Sequence, residues 1–461
     1  MSQLKLLLSV GLGLAALALH AEKPNVIVIM ADDLGYADVG FNGCKDIPTP
    51  NIDTLAQEGA NFTNAYVTYP VCGPSRAGFI TGRYQQRFGF ERNPQYKSGD
   101  PNMGLPRSEE TIATILGKAG YTSGIIGKWH LGAHETLHPL ERGFDYFYGH
   151  LGGGHNYFQE LLPIREDAKD EGESYKTWIL RNHEPVKIDK YLTDVFSDEA
   201  VTFIERHKDD PFFLFLSYNA PHTPMQAPEE EIARFVEIKD PKRRTYAAMV
   251  SIVDRGVGQV MDKLKELDLD KETLVFFLSD NGGPIYANGS NNKPLRGAKS
   301  DVWEGGWRVP FVLRWTGEVE PGSEFDEPVS SMDILGTMAG LTGVPIAEER
   351  PLDGVNLIPF LKGEQSGSPH EVIYLRKFDQ KRYAVRKGDF KLVIPDPEIP
   401  TRLFNLSKDI GEKKNIADWN ARKLEELDQL RLQWDAELME PQFLGLIHSE
   451  WWKKQMEKKK N

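Results

Sequence analysis

Short, largely apolar runs recur along the chain at Val26–Met30, Thr122–Ile126, Phe212–Ser217, Leu274–Leu278 and Phe311–Trp315. Continuous apolar runs of this length suit strands covered on both faces. Between them the spacing becomes helical over Thr111–Ala119, Leu192–His207 and Arg244–Leu267. This alternation predicts an α/β fold, with a large mixed, mostly parallel sheet sandwiched by helices. Beyond residue 365 the texture changes. Glu371–Leu375, Tyr383–Arg386 and Phe390–Ile394 read as antiparallel strands joined by turns such as Lys387-Gly388-Asp389, and Asn420–Met439 reads as a charged amphipathic helix. The expected organisation is a domain over 22–365 and a smaller C-terminal α+β domain over 366–461.

The first 21 residues pattern differently. Lys5 precedes an apolar stretch that is short for a bilayer span, and Leu19-His20-Ala21 offers a small-residue cleavage site. The reading is a signal peptide over 1–21, with a membrane anchor as the alternative. No later apolar run is long enough to cross a membrane, so the chain is expected to be exported, to periplasm or medium, without stable membrane insertion. A formal net charge of −13 argues against a surface built for nucleic acid or anionic lipid. The basic cluster Lys453–Lys460 reads as a solvated end. Cys44 and Cys72 are the only cysteines, so no disulfide framework holds the fold.

Chemistry gathers at the strand ends, where open α/β sheets bind their ligands. Val26–Met30 leads into Asp32-Asp33, and Thr122–Ile126 leads into Lys128-Trp129-His130. Phe212–Ser217 leads into Asn219-Ala220-Pro221-His222, and Leu274–Leu278 leads into Asp280-Asn281-Gly282-Gly283. Taken singly, each reads equally as a cap, a turn or a core histidine. Together, Asp32, Asp33, Asp280 and Asn281 form an all-oxygen set suited to Ca²⁺, with Mg²⁺ second, and not to zinc. Lys128, His130, His222 and Lys299 add positive or protonatable groups. A cation with lysines and histidines describes a site for a tetrahedral oxyanion ester.

Cys72 lies just ahead of an apparent helix at Phe79–Arg83, with Arg76 close by; both features favour an anion there. A buried structural cysteine is the plainer alternative. The run Cys72-Gly73-Pro74-Ser75-Arg76, continuing through Thr81-Gly82-Arg83, resembles the C-x-P-S-R signature of type I sulfatases, members of the alkaline-phosphatase-like superfamily. The chain is similar to that family also at Asp32-Asp33, Gly127–Gly132, Pro221–Pro224, Ser279–Gly283 and Leu295–Pro310.

The resemblance implies that a separate maturation enzyme oxidises Cys72 to formylglycine, whose hydrate is the nucleophile. It implies a Ca²⁺ held by Asp32, Asp33, Asp280 and Asn281 and touching residue 72. Lys128 and Lys299 would bind sulfate oxygens, and His222 would protonate the leaving oxygen. His130 would take the proton that lets sulfate depart, and Arg76 would steady the nucleophile. Lys299 also reads as a surface lysine, and Asn281 as a turn former. The segment Gly149–Tyr157 lacks the serine with which animal lysosomal members touch the nucleophile. His155, in that segment, is expected to recognise the sugar. Trp178, Arg181, Trp303 and Trp307 are candidate sugar-pocket residues. The expected substrate is a sulfated galactan such as carrageenan, with sulfate on O4 of galactose. The alternatives are a glycosaminoglycan (N-acetylgalactosamine) sulfatase, a phosphonate or phosphodiester hydrolase of the same superfamily, and a non-catalytic sugar-binding homologue.

Overall fold

The computed structural model describes residues 23–161 and 177–458. The signal-peptide reading therefore falls outside the described residues. Sixteen strands are described: β1 (Asn25–Ala31), β2 (Ala60–Phe62), β3 (Ala65–Tyr66), β4 (Thr122–Lys128), β5 (Tyr146–His150), β6 (Ile179–Arg181), β7 (Glu184–Val186), β8 (Phe212–Ser217), β9 (Thr273–Ser279), β10 (Phe311–Arg314), β11 (Ser323–Phe325), β12 (Val329–Ser330), β13 (Val372–Lys377), β14 (Arg382–Lys387), β15 (Phe390–Ile394) and β16 (Arg402–Asn405). Ten of them form one sheet in the order β11-β2-β10-β9-β1-β8-β4-β5-β6-β7. Its centre, β9-β1-β8-β4-β5, is parallel throughout, and β10, β6 and β7 run against their neighbours.

Both faces of β1 are buried, because Ile27 and Ile29 join one apolar cluster while Val26, Val28 and Met30 join another. That is why the strand reads as an unbroken apolar run. The main helices are α1 (Pro50–Gln57), α2 (Cys72–Thr81), α3 (Ile112–Lys118), α4 (Leu192–Arg206), α5 (Glu229–Ala233), α6 (Pro241–Glu266), α7 (Glu304–Trp307) and α8 (Asp333–Thr342). Residues of α1, α4 and α6 fill the first cluster, and residues of α2, α3 and α8 fill the second. The second sheet is antiparallel, in the order β13-β14-β15-β16. The helix α9 (Ile358–Leu361) precedes it, and α10 (Ala421–Asp435) and α11 (Glu450–Lys458) follow it. Leu427 of α10 packs on Val385, Leu392 and Leu403 of that sheet.

Two elements differ from the sequence reading. The motif does not precede a helix but forms its first turns, since α2 begins at Cys72 and stops at Gly82, whose φ is 63°. All ten residues of α2 are buried, so the amphipathic pattern that marks a surface helix is missing. The charged helix α10 ends at Asp435 rather than Met439. The chain beyond it is drawn away, where Met439 N–H donates to Gln86 O and Gln442 N–H donates to Gly89 O.

Candidate active site

The parallel register brings the strand ends level. Ala31 pairs with Ser279, Met30 with Ser217, Gly127 with Ser217 and Lys128 with His150. Residues just past these pairs must therefore share one edge of the sheet. β1 delivers Asp32 and Asp33, β9 delivers Asp280 and Asn281, β4 ends on Lys128, and the turn after β8 carries His222. Gly127 makes the close approach possible. Its φ is 112°, and a Cβ there would lie 1.9 Å from the Ser217 carbonyl oxygen. α2 points its first residue, Cys72, into the same space.

The contacts are ionic and largely buried. Lys128 Nζ lies 2.6 Å from Asp32 Oδ2, with both side chains fully buried. Lys299 Nζ lies 2.7 Å from Asp33 Oδ1 and 3.1 Å from Cys72 Sγ. Cys72 Sγ is 3.7 Å from Asp32 Oδ1. His222 Nε2 is 3.6 Å from Asp33 Oδ2, and its Nδ1 sits 2.7 Å from the Thr223 carbonyl oxygen. A carbonyl only accepts, so Nδ1 carries a proton and Nε2 faces the site. Arg76 lies 3.0 Å from Asp280 Oδ2 through Nε and also donates from Nη1 to Lys128 O.

The titrations follow from this crowding. Burial raises the Asp32 carboxyl above its ordinary range, although Lys128 opposes it. Burial also raises Asp280, with the charge of Asp32 added and Arg76 opposing. In Asp33 burial is outweighed by Lys299 and His222, and the carboxyl is drawn down. Burial resists ionisation of Cys72, but Lys128 and Lys299 prevail and lower it. For His222 burial is overcome by Asp32 and Asp33, which push it up to about 9. His130 goes the other way, because burial and then Lys128 and Arg76 hold it well below its ordinary value. It is a neutral base at neutral pH.

This donor set fits a hard divalent cation. Ligand atoms of Asp32, Asp33, Cys72 and His222 all lie within 4.8 Å of one another. Asn281 points Nδ2 at Asp33 Oδ1 (2.7 Å), while its buried Oδ1 has no partner. An orphaned amide oxygen beside buried carboxylates is what a cation would repair. Asp280 stands beside this group. Its oxygens meet Arg76 and, at 3.2 Å, the Asp33 amide.

The sugar-pocket expectations fare differently. His155 is fully buried, with its nitrogens 2.9 Å and 2.8 Å from the carbonyl oxygens of Asn156 and Thr177 and its ring against His150. Both nitrogens face backbone carbonyls in a fully buried ring, which leaves no exposed edge toward a sugar hydroxyl. Trp307 is also fully buried, packed on Tyr66. Arg181 pairs with Glu199 and lies over Tyr148, and Trp303 is covered by Arg296 at 3.7 Å. Trp178 is half-buried ahead of β6. One participant escaped the sequence reading. Ser217 Oγ donates to Lys128 O (2.7 Å) and accepts from Arg76 Nη1 (2.5 Å), tying arginine to lysine. The only signal was a hydroxyl closing an otherwise apolar run.

Acidic and basic side chains at the carboxyl edge of a mixed α/β sheet, closed over a cysteine at a helix start, form a cluster that could hold a metal ion beside an anionic ester. Residues 24–344 match the Sulfatase family. Residues 298–437 match the C-terminal domain of N-sulphoglucosamine sulphohydrolase. The chain belongs to the sulfatase family and is a sulfuric ester hydrolase. It is 34% identical to the N-acetylgalactosamine-6-sulfatase of Mus musculus over 405 residues, 84% of this chain and 75% of that one. Among solved structures it is similar to Ps i-CgsB, at 40% identity and a TM-score of 0.87, over 95% of this chain and 97% of the other. A crystal structure of Ps i-CgsB in complex with k-i-k-neocarrahexaose matches at 39% identity with the same TM-score and coverage. The phosphonate monoester hydrolase of Agrobacterium radiobacter shares the fold alone, at 21% identity and a TM-score of 0.66 over 90% of this chain and 96% of that one.

Proposed function

We propose that the protein removes sulfate from a sulfated galactan of the carrageenan type, with galactose 4-sulfate as the preferred group. The observation that carries this reading is the 39% identity, spanning nearly the whole chain, to Ps i-CgsB in complex with k-i-k-neocarrahexaose. A glycosaminoglycan substrate is the second reading, favoured by the likeness to N-acetylgalactosamine-6-sulfatase. The catalytic unit is assigned to 22–365 and a second unit to 366–461. Among the described residues no helix is long and apolar enough to cross a membrane, and the first 21 residues are assigned as an export signal.

Asp32, Asp33, Asp280 and Asn281 would hold a Ca²⁺ ion beside residue 72. The cation would polarise a sulfate oxygen, and Cys72, once oxidised to formylglycine by a maturation enzyme, would supply a hydrated aldehyde as nucleophile. Cys72 Sγ marks where those oxygens would stand. Lys128 and Lys299 bind the sulfate oxygens, and with 16% of its side chain exposed Lys299 faces the entrance. His222 is fixed through Nδ1 to Thr223, which leaves Nε2 to protonate the leaving sugar oxygen. His130, neutral and with an unpartnered Nδ1, accepts the proton that residue 72 gives up. Arg76, clamped by Asp280 and Ser217, sets the floor of the site.

The test is sulfate release from defined oligosaccharides by matured protein. Carrageenan fragments bearing galactose 4-sulfate should be desulfated, and EDTA should stop the reaction until Ca²⁺ is restored. Activity confined to chondroitin or heparan fragments would transfer the assignment to the second reading. Faster turnover of phosphonate or phosphate esters than of sulfate esters would overturn both.

A further inference from the structure

Lys377 is the last residue of β13 and lies in the second sheet, yet its side chain is only 4% exposed. Successive side chains on a strand face opposite ways. Arg376 turns to one side, to Glu91 at 2.6 Å and Asp435 at 2.9 Å. Lys377 turns to the other, into the loop that carries Lys299. There Nζ donates to the carbonyl oxygen of Ser300 at 2.5 Å and to its Oγ at 2.6 Å. Its partners are a carbonyl and a hydroxyl rather than a carboxylate. A buried ammonium so placed is expensive to keep, and it is bound to the residue next to Lys299.

Ser300 links three parts of the site. Its φ is 75°, a left-handed conformation uncommon for serine, so something must hold it. Its N–H donates to Pro70 O at 2.7 Å, two residues ahead of Cys72. Its neighbour Lys299 spans from Cys72 to Asp33. The loop is further closed where Ala298 N–H meets Asp301 Oδ2 at 2.9 Å. Lys377 is thus the clasp by which the second sheet grips this loop. Burial lowers the Lys377 ammonium to about 8, with Arg382 adding to the fall and Asp301 and Asp379 resisting it.

We propose that Lys377 is a positioning residue for sulfate recognition, fixing Ser300 and thereby holding Lys299 Nζ against residue 72. The proposal rests on the assignment of Lys299 to the sulfate oxygens. It makes the second sheet part of the anion site rather than a separate appendage.

The experiment measures binding of inorganic sulfate by titration calorimetry to the full chain, to Lys377→Met, to Lys299→Ala and to the double variant. Each variant's melting temperature and kcat and KM on a sulfate ester are recorded alongside. Lys377→Met should weaken sulfate about tenfold in the wild-type background, the scale of one hydrogen bond to a charged group. It should have less than about a twofold effect when Lys299 is already alanine, because coupled residues are not additive. Lys377→Arg, which keeps the charge and its donors, should recover most of the loss. Equal losses in both backgrounds, or none in either, would overturn the positioning role. If Lys299→Ala binds sulfate as the wild type does, the assignment of Lys299 itself fails, and the proposal with it.

Discussion

At the residue scale, the pair Lys128–Asp32 bears most on the chemistry. Both side chains are fully buried, so removing the ammonium strands a carboxylate, a loss of about 3–5 kcal/mol in cation-free protein. A bound dication would take over part of that neutralisation. Lys128→Met should therefore melt well below wild type in EDTA and gain more than wild type on adding Ca²⁺. Its kcat should fall by about 10²–10³, the cost of losing one donor to a developing oxyanion. Equal Ca²⁺ gains in both proteins, measured by scanning calorimetry, would count against Asp32 as a ligand. Asp32-Asp33, Asp280-Asn281 and Lys128 stand out in the sequence because each closes an apolar run, and His222 because it sits in the turn after one. The burial of His155 was not legible, because composition does not reveal which backbone groups a ring will face. Ser217 was passed over because a serine ending a strand looks like any strand terminus.

At the element scale, α2 can lie under the site only because it lacks side chains at two points. A Cβ on Gly73 would meet Asn93 Oδ1 at 2.9 Å, which already accepts from the Gly73 amide. A Cβ on Gly78 would meet Thr68 Oγ1 at 2.1 Å and Gln85 Oε1 at 2.8 Å. Gly78→Ala should destabilise the protein by about 1–3 kcal/mol through overpacking. Thermal melts check this, and an unchanged melting temperature would show that the helix shifts freely. A second prediction concerns the junction of α1 and α6. Asp254 accepts from the Ile52 amide at 2.8 Å and from Asn51 Nδ2 at 2.9 Å, and burial raises its carboxyl to about 6. The folded carboxyl thus holds its proton more tightly than the unfolded one, whose ordinary value is 3.8. Its stabilising contribution is full below about pH 4 and is lost as pH rises through 6. Asp254→Asn keeps an acceptor for Ile52 without the charge, so it should raise Tm at pH 7.5 by roughly 2 °C or more. The gain should vanish near pH 4. A gain that persists there would point to a cause other than ionisation. Most long elements were readable from periodicity. The strands of two or three residues were not, since β2, β3, β11 and β12 find their partners far along the chain and carry too few residues to show a period.

At the scale of the whole molecule, a buried ionic knot ties the second sheet to α7. Lys391 of β15 lies 2.8 Å from Glu304 and 2.8 Å from Glu412, with all three side chains fully buried. Glu304 opens α7, and the next residue, Gly305, donates to Arg296 O at 2.7 Å in the Lys299 loop. Lys391→Met should cost about 3–5 kcal/mol, because Glu412 loses its cation and Glu304 is left with Arg308 at 3.3 Å. It should also weaken inorganic sulfate, and calorimetry on one sample reads both. A lower Tm with unchanged sulfate affinity would show that the knot serves stability alone. Nothing in the sequence marks these three residues as partners, since contact between them depends on how the sheets dock. The family motifs were legible in order along the chain, whereas the docking that supports them was not.

Under the proposed function, residue 72 drives desulfation of a 4-sulfated galactan. The most direct measurement is sulfate released, by ion chromatography, from a defined carrageenan oligosaccharide. Wild-type protein co-expressed with a maturation enzyme is compared with Cys72→Ala prepared identically, both with Ca²⁺. Release by the wild type that disappears in the variant is the predicted result. Equal release by both would contradict the role of residue 72, and no release by a wild type whose residue 72 is shown by mass to be formylglycine would contradict the substrate.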